Sequence, residues 1–225
     1  ILDKYPEVVS IVENINPDRT NVILGKCCIT LFGSDTITDV MCGNRVKISP
    51  LSFYQVNTVQ AERLYEKARE YAAPSENSVI ADLYCGAGTI GLSMANSAGR
   101  IVGVEIVPEA VENAKRNAAA NGIVNAQFYC GDAGEVFDRL RTQGYSPDVI
   151  VLDPPRKGCS EETLTTVCKA APQRIVMISC NPATAARDAR LLADRGYEVE
   201  RVCGFDLFPR TKHVECVCLM SRVKE

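Results

Sequence analysis

From Ser78 onward, short apolar runs alternate with stretches of helical spacing: Val79–Tyr84, Ile101–Val107, Gln127–Tyr129, Val149–Leu152 and Ile175–Ser179. A helix between consecutive strands carries the chain back across the sheet, so each new strand runs parallel to the last. The runs are apolar almost throughout, as strands covered on both faces require. The expectation is an α/β fold of Rossmann-like type, a mostly parallel sheet between two layers of helices. Glu198–Val202 and His213–Met220 have no helix between them, so the sheet is expected to end in an antiparallel last strand.

Upstream the pattern differs. Val8–Val12, Cys27–Phe32, Thr36–Val40 and Arg45–Ile48 are short β-rich runs punctuated by Gly25, Gly33 and Gly43, and read as a small antiparallel sheet. Asn57-Thr58 opens a helix that carries Val59, Leu64, Ala68 and Tyr71 before Pro74 stops it. The division expected is a small β-rich segment over 1–50 and a larger domain over 51–225. The chain starts Ile1-Leu2-Asp3 and enters ordered-looking sequence at once, which suggests a piece of something longer with functional parts upstream.

Composition removes several classes of function. The net charge of −3 gives no global basic signature, so nucleic-acid binding would need a local patch. Eleven cysteines without a Cys-x-x-Cys pair, beside one histidine, favour neither a disulfide framework nor a zinc site. A reducing cytoplasmic setting fits best, and no metal is expected. No run approaches the length of a membrane span.

Asp82-Leu83-Tyr84-Cys85-Gly86-Ala87-Gly88-Thr89-Ile90-Gly91 follows the first parallel strand and enters a helix. Glycines stand where backbone approaches a ligand, a spacing shared by dinucleotide enzymes and by methyltransferases that use S-adenosylmethionine. Glu105, ending the next strand, can accept two ribose hydroxyls for either cofactor. Asp132, after the third strand, can lie beside an adenine. Asp153-Pro154-Pro155-Arg156 follows the fourth strand and has no regular place in a nicotinamide fingerprint.

Cys180 ends the run Ile175–Ser179 and precedes Asn181-Pro182, which holds a thiol at the ligand-binding edge of the sheet. Glu215 stands at the mouth of another buried run, Cys216–Met220. Alone, each has a bland reading: Asp153 as a turn residue, Glu215 as a surface acid, His213 as a structural hydrogen-bonding group. Adjacent strands of this topology bring Asp153, Cys180 and the glycine loop to one edge, which outlines a reaction centre. Arg156, Lys157, Arg187 and Arg210 are the cations expected to favour thiolate at Cys180, and with Arg190 and Lys212 to form a basic rim for phosphates. Cys168, Cys203, Cys216 and Cys218 read as core fillers, and Cys85 as a shaper of the glycine loop.

Five segments in order, Phe53–Asn57, Asp82–Thr89, Leu152–Gly158, Ser179–Thr184 and His213–Glu215, make the chain resemble the RNA uracil-C5 methyltransferase family from about Ser52 to Met220. The resemblance implies an S-adenosylmethionine-dependent enzyme with Cys180 as nucleophile and Glu215 as base. It further implies that Gln55, Tyr84, Glu105 and Asp153 contact the cofactor beside Gly86 and Gly88, with Asp132 as a further candidate. Its RNA partner is expected to be 23S rRNA, because the motif wording stands nearer the ribosomal branch, with tRNA as the alternative. Full-length relatives often carry an RNA-binding β-barrel and an iron–sulfur cluster. Cys27, Cys28 and Cys42 lack the spacing for such a cluster, so none is expected in what resembles the catalytic half of a monomer. Two other readings compete. An N-methyltransferase leaves Cys180 and Glu215 without work, and an inactive RNA- or nucleotide-binding module leaves them without reason.

Overall fold

The computed structural model describes residues 1–19 and 23–223. Seven strands form one sheet: β5 (Val79–Leu83), β6 (Arg100–Glu105), β7 (Ala126–Cys130), β8 (Val149–Leu152), β9 (Arg174–Ser179), β10 (Tyr197–Phe205) and β11 (Glu215–Arg222). Their spatial order is β10-β11-β9-β8-β5-β6-β7, with β5 to β9 parallel and β10 and β11 antiparallel. The expected α/β sheet with an antiparallel end is therefore present. The chain moves outward from β5 through β6 to β7, then returns to β5's other side for β8. That reversal leaves a crevice at the C-terminal ends of β5 and β8, where open α/β sheets bind ligands.

Strand periodicity divides the buried residues between two layers. Ala81, Leu83, Ile150, Leu152, Ile175, Met177, Cys216 and Cys218 pack with the helices α4 (Ala133–Thr142), α5 (Glu161–Ala170) and α6 (Pro182–Ala193). Ile80, Val149, Val151, Val176, Ile178, Val217 and Leu219 pack on the other face with α1 (Thr58–Ala72) and the short α2 (Thr89–Met94). α3 (Pro108–Ala120) covers Phe128 and Cys85 on that side through Val111, Ala114 and Ala118. Alternation at period two decides which layer each side chain enters. Ile80, Ile101, Ile150 and Ile175 are fully buried, each contributing about 1.5–3 kcal/mol by leaving water.

The N-terminal strands differ from the single small sheet expected. β1 (Ser10–Ile15) pairs only with β2 (Cys27–Gly33), and β3 (Ile37–Met41) only with β4 (Asn44–Ile48), as two separate antiparallel pairs. A tight turn at Cys42-Gly43 closes the second pair, whose Met41 and Val46 bury against α1 and α2 and so commit it to the larger domain. Fully buried Asn117 on α3 ties this hairpin to the glycine loop. Its Oδ1 accepts the Lys47 N–H at 2.9 Å, and its Nδ2 donates to the Ala87 carbonyl at 3.2 Å. Asn121, one turn on, exchanges a second pair of bonds with the Arg45 backbone.

Replacing Asn117 by alanine strands both backbone groups in a buried place. Asn117→Ala is expected to lower stability by about 1–3 kcal/mol, read as a shifted urea midpoint with an unchanged slope.

Candidate active site

Strand parity and sheet direction assemble the site. Asp82 shares its parity with Ile80, Asp153 with Val151, Cys180 with Ile178, and Glu215 with Val217, so all four belong to the layer of α1. β5, β8 and β9 deliver Asp82, Asp153 and Cys180 at or near their C-terminal ends. β11 runs the opposite way, so its first residue reaches the same edge. The register pairs Cys216 with Ser179, so Glu215, the first residue of β11, and Cys180, just past the end of β9, reach the same edge, near enough for the carboxylate to act on the thiol.

The glycine loop forms the floor of the crevice. Gly86 has φ +53°, and a Cβ built there would meet nothing within 4 Å, so the space above the loop is open. Glu105 braces it: Oε2 accepts the Gly86 N–H at 3.0 Å and Oε1 the Val107 N–H at 2.9 Å. Both oxygens retain a lone pair for further donors. Cys85 is buried beneath the loop and Gly88 packs on Phe128 and Ala114. Asp132 caps α4, accepting from Gly134 at 2.8 Å and Glu135 at 3.3 Å. Tyr84 departs from strand parity. Its φ of +66° swings the ring into the layer of α5, where its hydroxyl meets Thr163 Oγ1 at 3.1 Å.

Two acids without a cationic partner flank the crevice. Asp82 is fully buried; Oδ2 accepts the Gly91 N–H at 2.8 Å, and Oδ1 has no partner among the described residues. Burial pushes its carboxyl up to about 7, with Glu105 adding to the effect. Asp153 is raised to about 8 by burial, then by Asp82 and Glu215. An open cradle beside two uncompensated acids suits a ligand that carries positive charge.

Cys180 is half-buried and Glu215 buried. Burial raises the Cys180 thiol, Glu215 raises it further, and Arg156 opposes both. The Glu215 carboxyl is raised by burial and lowered by Arg156. Arg156 is thus the cation that acts on both groups. The sequence expectation of four cations favouring thiolate is corrected here: the thiol of the free site is held up, not down. Arg187 is committed elsewhere, donating to Asp188 Oδ1 through Nε at 2.8 Å and Nη2 at 2.6 Å. Arg190 pairs with Asp194 at 3.0 Å.

Loops around these residues are pinned to one another. Asn181 Nδ2 and Thr184 Oγ1 both donate to the Arg156 carbonyl at 3.2 Å, joining the Asp153 and Cys180 loops. Buried Asp188 accepts the Cys159 N–H at 2.8 Å, and a Cβ on Gly158, at φ +80°, would meet Asp188 Oδ2 at 2.6 Å. Gln55 is half-buried and has no side-chain hydrogen bond among the described residues. Its segment is anchored by Asn113 Nδ2 to Ser52 Oγ at 3.0 Å and by Asn57 Nδ2 to the Leu207 carbonyl at 3.1 Å. Asp82, Asn117 and Asp188 were not singled out as site residues in the sequence. The available signal was a polar residue on a buried strand or on the apolar face of a helix, as with Asp188 between Ala185, Ala189 and Leu192.

The family model described as tRNA (Uracil-5-)-methyltransferase matches residues 43–223. An uncharacterized RNA methyltransferase of Staphylococcus aureus (strain MSSA476) is 52% identical over 221 residues, covering 98% of this chain and 49% of that protein. Another, of Bacillus cereus (strain ATCC 10987 / NRS 248), is 50% identical over 225 residues, covering 100% of this chain and 49% of that protein. The chain spans about half the length of the curated relatives it matches. Among solved structures, the Pyrococcus abyssi tRNA (uracil-54, C5)-methyltransferase in complex with S-adenosyl-L-homocysteine superposes with a TM-score of 0.80 at 30% identity. The match covers 98% of this chain and 53% of that one. An M. jannaschii tRNA m1G37 methyltransferase, at 18% identity and a TM-score of 0.62, covers 88% of this chain and 61% of its own, and shares the fold.

Two titrations follow from the site. A folded-state carboxyl raised above its ordinary 3.8 holds its proton more tightly than the unfolded chain does, so its stabilising effect is lost as pH rises through the folded value. The thermal midpoint of the ligand-free protein is therefore expected to fall between about pH 4 and pH 8, and Asp82→Asn or Asp153→Asn to flatten that fall. For the thiol, Glu215→Gln removes a negative neighbour that favours the protonated form. The pH midpoint of iodoacetamide alkylation at Cys180, followed by peptide mass spectrometry, is expected to move toward acid.

Proposed function

The chain belongs to the tRNA (uracil-5-)-methyltransferase family, and from that premise we propose that it methylates C5 of a uridine in RNA, with S-adenosylmethionine as the methyl donor. The observation that carries this reading is the meeting of Cys180, just past the end of β9, with Glu215, the first residue of β11, beside Asp153 and the glycine loop. A thiol and an acid meeting at a ligand edge match a reaction that adds a nucleophile to a ring and later removes a proton from it. An N-methyltransferase would need neither group.

Uracil C5 is too weak a nucleophile to attack a sulfonium methyl group unaided. Thiolate addition from Cys180 to C6 places the electron pair over C5 and O4 as an enolate, which then attacks. S-adenosylmethionine bound at the crevice supplies the electrophilic methyl group. Once C5 carries the methyl group, Glu215 takes the C5 proton, the C5–C6 double bond re-forms, and the thiolate leaves. Glu215 must be ionised for that step, and Arg156 favours the ionised form.

The fit of the methyl donor is supported by the open space above Gly86, the braced Glu105 and the uncompensated Asp82 and Asp153. Gly86 and Gly88 are assigned to the close backbone approach, Glu105 to the ribose hydroxyls and Asp132 to the adenine side. Asp153 and Gln55 are assigned to the remaining cofactor contacts through their side chains, and Tyr84, whose ring turns to Thr163, through its backbone in the glycine loop. A uridine in a stem would first have to be flipped out, at a cost of a few kcal/mol, so a loop uridine is the natural substrate.

For the RNA we infer 23S rRNA, on the wording of the five motifs. A second reading, tRNA, is favoured by the Pyrococcus abyssi neighbour, which is named for tRNA uracil 54. Incubation with each purified RNA and mapping of 5-methyluridine separates the two.

The mechanism is tested with RNA carrying 5-fluorouridine, whose C5 has no removable proton. In the presence of S-adenosylmethionine a stable protein–RNA adduct through Cys180 is expected, and Cys180→Ala abolishes it. RNA binding without an adduct refutes the assignment. With ordinary RNA, Glu215→Gln is expected to accumulate the adduct, its breakdown slowed by about 10²-fold or more.

A further inference from the structure

Arg156 acts on both Cys180 and Glu215, yet its side chain is exposed, and an exposed guanidinium on a flexible stem has no fixed place by itself. Its backbone is fixed, because the Arg156 carbonyl accepts from Asn181 and Thr184 in the Cys180 loop. The side chain is met by the chain's single histidine: Arg156 Nη2 and His213 Nδ1 are 3.3 Å apart. A guanidinium can only donate, so in this contact Nδ1 is the acceptor.

The ring is itself held. It stands edge-on to Phe208 at 6.3 Å between centroids, and the His213 N–H donates to Thr211 Oγ1 at 3.2 Å. Thr211 in turn donates from N at 3.1 Å and from Oγ1 at 2.7 Å to the Phe208 carbonyl. The Leu207 carbonyl accepts from Asn57 at the start of α1. The loop that ends at Glu215 thus reaches back to grip a cation rooted in the Asp153 loop.

We propose that His213 is a positioning residue: by accepting from Arg156 through Nδ1 it holds that cation at the edge where Cys180 and Glu215 meet. The role deepens the reading of Cys180 as nucleophile and rests on it. His213 touches neither the uracil nor the methyl donor in this role; it acts through Arg156.

The test is the alkylation rate of Cys180 by iodoacetamide at fixed pH, read on the Cys180 peptide by mass spectrometry, with cooperative melting checked for every variant. Arg156→Met sets the scale and is expected to slow alkylation by about three- to tenfold. His213→Phe, which keeps an aromatic ring against Phe208 but has no acceptor, is expected to approach that rate. His213→Asn places an amide oxygen near the Nδ1 position and is expected to stay within about twofold of the wild type, whereas His213→Gln, whose amide falls near Nε2, is expected to be slow. A wild-type rate in Arg156→Met or His213→Phe, or an equally slow His213→Asn, overturns the proposal. Because alkylation uses neither RNA nor methyl donor, it stands or falls separately from the 5-fluorouridine adduct.

Discussion

The site depends on one strand running the wrong way. In a purely parallel sheet every strand presents its C-terminal end at the ligand edge, and residues at strand starts lie at the far side. β11 enters between β9 and β10 in the opposite direction, so Glu215, its first residue, arrives where β9 ends. The register that pairs Ser179 with Cys216 then brings Glu215 to the edge where β9 delivers Cys180. A slip of one residue would send Glu215 into the opposite layer and expose the apolar run behind it. The buried side chains Val217 and Leu219 on one face, with Cys216 and Cys218 on the other, therefore hold the thiol and acid in place.

The electrostatics of the edge follow from the same packing. Asp82, Asp153 and Glu215 share one layer with few cations to balance them, and each is raised by burial. Arg156 is the counterweight on Cys180 and Glu215. Arg187, near in sequence, spends its guanidinium on Asp188 and on the Lys157 and Cys159 carbonyls, which steadies the loop after Asp153. Burial and the neighbouring acids raise the Cys180 thiol, and a site so poor in positive charge favours a ligand that brings one. Of the four cations expected around Cys180, Arg156 does favour the thiolate, whereas Arg187 is taken up by Asp188.

Fold and edge were legible because both follow from periodicity. Apolar runs separated by helices specify parallel strands, and Asp153 and Cys180, standing just after such runs, must lie at the C-terminal edge. Glu215 was legible as an acid at the mouth of a buried run, but not as the neighbour of Cys180, since strand order and register are tertiary facts. The N-terminal runs were legible as strands and not as two separate pairs, because packing of Met41 and Val46 on α1 and α2 decides that. Asn117 and Asp188 were silent for another reason. A polar residue on a helix's apolar face reads as a flaw until the loop it holds is known.

Tyr84 shows how a local rule is broken to make room. By parity its side chain belongs with Asp82 and Asp153, in the layer that carries the crevice. A left-handed conformation at a non-glycine residue costs about 1–2 kcal/mol, and an ordinary extended backbone would avoid it. That backbone would drop a phenol ring beside buried Asp82 and partly buried Asp153, where the cradle above Gly86 is open. The positive φ sends the ring instead to Thr163 at the start of α5, where its hydroxyl is paired and its face packs on the core. The strain is set against a filled crevice, and the chain keeps the strain.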